Sequence, residues 1–122
     1  MTDPRRGLGR RGEALAAATL ARRGYVIRQR NWRCRAGEVD IIAAHGDCLV
    51  FVEVRTRRGR ELGSPEASIT PAKQARLIQV AQSYLLEFDI GAVDWRIDVV
   101  AVELTRGGQL VRVDVYENAI TG

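Results

Sequence analysis

Lysine is almost absent from this sequence: of its 19 basic residues, 18 are arginine and the other is Lys73. Chemistry that needs a lysine therefore has a single candidate. Cysteine is scarce as well. Cys34 and Cys48 are widely separated and have only His45, in a predicted turn, as a companion, whereas a zinc site takes about four such ligands. Both are read as reduced, structural thiols. No run of about 18 apolar residues is present, which argues against a spanning helix. The opening MTDPRRGLGRRG carries positive charge without an apolar segment behind it, so no secretory leader is expected and the protein is read as cytoplasmic.

What is present is enough for one core. At 122 residues and 46% hydrophobic, the chain suits a single domain over 1–122, with residues 1–8 expected to be flexible. Charge is unevenly spread. Residues 1–60 hold 14 Arg against 6 acids, whereas residues 61–122 hold 4 Arg and Lys73 against 9 acids, giving +8 and −4 within a net charge of +4. A basic half suits a polyanion, since Lys and Arg make the phosphate contacts that dominate nucleic-acid affinity. A merely solvated charged face would look the same.

The Ala- and Leu-rich segment from Leu8 to Arg23 ends at Gly24, which predicts a helix with a glycine cap and basic residues at its C-terminus. Tyr25–Ile27 has strand character and leads into an Arg-rich stretch through Arg35, read as an edge strand and connector. Residues 38–44 and 48–55 are β-rich runs around Gly46-Asp47, a two-residue hairpin loop. A polar loop over 57–68 is expected to be mobile. Thr70-Pro71 then caps a helix over 71–88. Trp95–Leu104 and Leu110–Tyr116 follow as strands around Gly107-Gly108. The order α-β-β-β-α-β-β predicts an α/β fold with a mixed sheet, the crossover helix joining a parallel pair.

Three acids interrupt the apolar hairpin GEVDIIAAHGDCLVFVEVRTR: Glu38, Asp40 and Glu53. Strict alternation puts Glu38, Asp40, Ile42 and Ala44 on one face and Val39, Ile41 and Ala43 on the other. With Gly46-Asp47 as the loop, Asp40 falls opposite Glu53 and Glu38 opposite Arg55. Cross-strand Cβ atoms there are about 4.5–5.5 Å apart. The second pair satisfies itself as a salt bridge. The first repels, and calls for a cation or a raised pKa. Two such carboxylates suit Mg²⁺ or Mn²⁺, with water and substrate phosphate completing the shell, and metal-assisted phosphodiester hydrolysis is the chemistry that follows. Glu13 shares a helical stripe with Ala16, Ala17 and Leu20 and is a candidate fourth member, or else a simple helix-terminus acid. Lys73, Gln74 and Arg76 on the second helix, with Arg57 and Arg58 at the head of the loop, are the candidate phosphate contacts.

The strings GEVDII, FVEVRTR, TPAKQARL and RIDVVAV, in this order over about residues 10–102, resemble the YraN-like family of uncharacterised bacterial proteins. That family is assigned to the restriction-endonuclease-like, PD-(D/E)xK superfamily, which also holds the Holliday-junction resolvases. The resemblance implies a three-layer α/β/α fold, with Glu13 as the helix acid, Asp40 and Glu53 as the strand acids and metal ligands, and Glu38 in support. Arg55 stands where the superfamily has lysine. Arginine keeps its proton and acts by planar hydrogen bonding, so it is a poor base, and a lysine placed there is expected to retain or raise cleavage. The resulting expectation is a Mg²⁺- or Mn²⁺-dependent endonuclease acting on DNA, branched or processed DNA included, without a membrane partner and with a homodimer left open. The alternative is a nucleic-acid-binding or adaptor protein that keeps the fold without the chemistry.

Overall fold

The computed structural model describes residues 4–121, so residues 1–3 of the expected flexible start lie outside them. The elements run α1 (Pro4–Arg22), β1 (Val26–Cys34), β2 (Gly37–His45), β3 (Cys48–Arg58), a 3₁₀ turn (Glu66–Ser68), α2 (Pro71–Glu87), β4 (Trp95–Leu104) and β5 (Leu110–Ile120). This is the expected order. Helix α1 begins earlier than Leu8, with Pro4 at its first position, where a missing N–H is not needed. It ends as expected. Gly24 takes φ +89°, Gly24 N–H donates to Ala21 O (3.1 Å) and Tyr25 N–H to Leu20 O (3.0 Å), the two bonds of a Schellman cap. At α2, the Thr70 hydroxyl accepts from Lys73 N (3.3 Å) ahead of Pro71.

The five strands lie in chain order β1-β2-β3-β4-β5. All neighbours are antiparallel except β3 and β4, which run parallel with α2 between them in the chain. The sheet is mixed, as predicted, and β1 is an edge along its whole length rather than a short strand with a connector. Its polar residues Arg28, Gln29 and Arg30 are exposed, which suits an edge. Arg57 and Arg58 extend β3, and β5 continues to Ile120.

Each face of the sheet has its own core. Towards α1 pack Ala16, Leu20, Ile41, Val50, Val52, Val100 and Val102. Towards α2 pack Ile42, Phe51, Leu77, Val80 and Ile97, with Trp32 and Phe51 edge-on to Tyr84 at 5.2 and 5.5 Å. Burying a side chain such as Phe51 or Ile41 contributes about 1.5–3 kcal/mol. Among the described residues no helix is long and apolar enough to cross a membrane.

Candidate functional site: a carboxyl chain at the split of the sheet

The β2–β3 hairpin keeps the predicted register from His45↔Cys48 back to Ile41↔Val52, and there the ladder stops. Asp40 and Glu53 are therefore near each other but not a ladder pair. In place of a strand-to-strand backbone bond, Asp40 Oδ2 accepts from Val54 N–H at 2.7 Å. Facial alternation also breaks at Asp40. Val39 packs on the α2 side with Ile42, while Ile41 and Ala43 pack on the α1 side. Strict alternation thus misplaced Val39. The two strands part here, so Asp40 lies in the split and is reached from both sides of the sheet.

Parting the strands also separates Glu38 from Arg55, and the predicted bridge between them does not form. Glu38 sits across β1 from Arg33 and pairs with it, Arg33 Nε to Glu38 Oε2 at 3.0 Å. Arg55 stays on the α2 side. Its NH1 approaches Glu53 Oε2 at 3.7 Å, and its Nε donates to Ser68 Oγ at 2.8 Å.

Glu13 does reach the site. Gly12, buried against β3, lets α1 come close: a Cβ at Gly12 would collide with Thr56, whose own Cβ would be 3.0 Å away. The Glu13 carboxyl then meets that of Asp40, and Asp40 meets Glu53. Burial, then the charge of Asp40 and the hydrogen bond to it, push the Glu13 carboxyl up to about 7. Burial, then the hydrogen bond and charge of Glu53, hold Asp40 far above the ordinary carboxylate range, against the opposing Val54 N–H. Among the described residues no group of three His, Cys, Asp or Glu side chains is set to grip one ion. The acids follow one another in a chain, Glu13 beside Asp40 and Asp40 beside Glu53, rather than closing a cage. The donor chemistry still fits a hard divalent cation: adjacent carboxylate oxygens, with open space beside them for water and phosphate.

That space has two lobes meeting at Asp40, Val54 and Arg55. One, of about 580 Å³, reaches Lys73, Arg76 and Leu77 on α2; the other, of about 960 Å³, reaches Arg10 and Glu13 on α1 and Arg57 on β3.

A family model for the uncharacterised protein family UPF0102 matches residues 12–102. The chain belongs to this family. A UPF0102 protein of Roseiflexus castenholzii is 51% identical over 121 residues, covering 98% of each chain. One of Chloroflexus aurantiacus is 50% identical over 115 residues (93% of this chain, 92% of the relative), and one of Moorella thermoacetica 45% identical over 119 (98% and 99%). The UPF0102 match takes in Glu13, Asp40, Glu53, Arg55 and α2, and stops before β5.

Of the candidate phosphate contacts within the UPF0102 region, Lys73, Arg76 and Arg57 line the lobes. Gln74 does not. Its amide donates to Ile69 O (3.3 Å), and it lines a separate groove beside Val99 and Tyr116. Arg58 lies beside Gly108 in the β4–β5 turn. Sequence reasoning missed Gly12, Arg10, Arg33 and Ser68. For Gly12 a signal existed, since a glycine directly before a candidate acid marks a possible close approach. Ser68 gave none, because a serine in a polar loop is ordinary.

Proposed function

We propose that this chain is a metal-dependent nuclease that hydrolyses phosphodiester bonds in DNA, on a restriction-endonuclease-like fold. The observation that carries the reading is the juxtaposition of Glu13, Asp40 and Glu53 at the split of the sheet, where burial and the neighbouring carboxyls raise the pKa values of Glu13 and Asp40. Opposite-facing helices and the parallel β3–β4 pair agree with the fold, and the cations lining both lobes agree with a polyanionic substrate.

In this reading Asp40 and Glu53 hold Mg²⁺ or Mn²⁺, and Glu13 supports them through Asp40. When bound, the cation lowers the pKa of a water, orients it and offsets charge on the phosphate oxygens. Val54 N–H fixes Asp40 by Oδ2. Asp40 and Glu13 give up their protons as the site loads, so binding tightens with rising pH. Arg55 keeps its proton and faces developing negative charge with a fixed fork of donors. Lys73 and Arg76 on one side, and Arg10 and Arg57 on the other, hold flanking phosphates.

The test is cleavage of single-stranded, duplex, flapped and four-way DNA with Mg²⁺ or Mn²⁺, beside Asp40→Asn and Glu53→Gln. Cleavage lost in both variants supports the nuclease. Absence of wild-type cleavage above the variants on every substrate overturns it, and salt-sensitive DNA binding that survives in that case supports the adaptor reading suggested by Arg55.

A further inference from the structure

We infer that Ser68 is a positioning residue that aims the Arg55 guanidinium at the carboxyl pair, and that its presence is why arginine occupies this place; the catalytic part of this rests on the nuclease reading above. The Ser68 hydroxyl donates its hydrogen to Pro65 O at 2.6 Å, so its oxygen lone pair is turned to accept Arg55 Nε at 2.8 Å. With Nε engaged, the planar fork has one orientation, and NH1 lies on the Glu53 side at 3.7 Å. The same residue meets a second cation of the cavity, its backbone oxygen accepting from Lys73 Nζ at 3.5 Å.

The short turn that carries Ser68 is itself tethered to β5. Glu66 Oε1 accepts from Arg112 NH2 at 2.9 Å and Oε2 from Tyr116 Oη at 3.0 Å. Arg112 Nε in turn donates to Glu103 Oε1 at 3.1 Å. Polar contacts thus tie β4 and β5 to Glu66, and the backbone of the same turn carries Ser68 to the guanidinium.

Lysine cannot make this arrangement. It ends in one ammonium, and engaging Ser68 would draw that group away from the carboxylates, whereas arginine separates an anchoring Nε from two presenting nitrogens. Arg55→Lys is therefore expected to lower cleavage, not to raise it as the lysine of the wider superfamily suggests.

The experiment measures single-turnover cleavage and DNA affinity on labelled duplex and four-way DNA with Mn²⁺, together with hydrogen exchange at Arg55 Nε by nitrogen-15 NMR on the metal-free protein. Ser68→Ala should slow cleavage about tenfold to a hundredfold with DNA affinity unchanged, and Ser68→Thr, which keeps the hydroxyl, should recover most of the rate. In an Arg55→Ala background, Ser68→Ala should cost nothing further, because a residue acting through another has no separate effect. The Arg55 Nε–H should be protected in the wild type and exchange rapidly in Ser68→Ala. Equal losses from Ser68→Ala with and without Arg55, or an unchanged Nε–H exchange, would overturn the proposal. If the wild type cleaves no DNA, the nuclease reading falls, and the NMR measurement alone decides the positioning.

Discussion

Asp98 and Asp40 are both acids in the central strands of one sheet, and their surroundings are opposite. Asp98 is fully buried on the α1 side and accepts from Tyr25 Oη (2.7 Å), Arg96 Nε (2.9 Å) and Asn118 N–H (2.9 Å). Arg96 continues that network to His45 Nδ1 at 2.7 Å, and Tyr25 stacks on the His45 ring at 4.0 Å. Every contact there is attractive. Asp40 accepts one backbone N–H and otherwise meets Glu13 and Glu53. A buried acid with matched donors is explained by the fold it stabilises. One set among acids is not, and the proposed cation site rests on that contrast.

Five outcomes would sharpen or break this contrast. The largest effect belongs to Asp98→Ala, which leaves Arg96 and Tyr25 unpaired and should cost about 3–5 kcal/mol in denaturant unfolding; a small loss would mean that the two acids are less different than their contacts. Next, Mg²⁺ or Mn²⁺ at a hundred times its dissociation constant should stabilise the wild type by about 2.7 kcal/mol, more at pH 8 than at pH 6, and should leave the melting temperature of Asp40→Asn unmoved. Third, Asp40→Asn in the metal-free protein should gain roughly 1 kcal/mol, since an amide still accepts Val54 N–H and removes the repulsion.

The same variant tests the sign of the pH dependence. Glu13 and Asp40 have folded pKa values above their ordinary 4.5 and 3.8. Between those values and the raised ones the folded state binds more protons than the unfolded state, so stability falls as pH rises. Without metal, the stability that these two acids contribute should be fully present below about pH 4 and be lost through pH 7, where Glu13 titrates, and beyond as Asp40 does. Asp40→Asn should flatten that slope. The smallest effect is expected from Glu38→Gln, which removes an exposed pair with Arg33 and should cost about 0.5 kcal/mol.

Much of this was legible in the residues, and the reasons are local. Gly46-Asp47 set the hairpin register because glycine accepts the +60° φ found there. Thr70-Pro71 marked the start of α2, and the unlikely pairing of Asp40 with Glu53 pointed to the candidate site. What stayed hidden depends on where strands stop pairing. No pattern marks the end of the β2–β3 ladder at Ile41 and Val52, so Glu38 was given the wrong arginine. Its real partner, Arg33, lies on a strand whose polar composition concealed its length. The tether from Arg112 to Glu66 joins residues far apart in the chain, and nothing local predicts it.

The parted strands have a mechanical consequence. β1 and β2 form one blade and β3, β4 and β5 another, and the seam between them holds five residue pairs, against seven, ten and seven at the other three seams. Asp40 stands on one blade, and Glu53 with Arg55 on the other. A cation shared by the two carboxylates would act as a rivet across the shortest seam of the sheet, so that loading the site and stiffening the scaffold would be a single event.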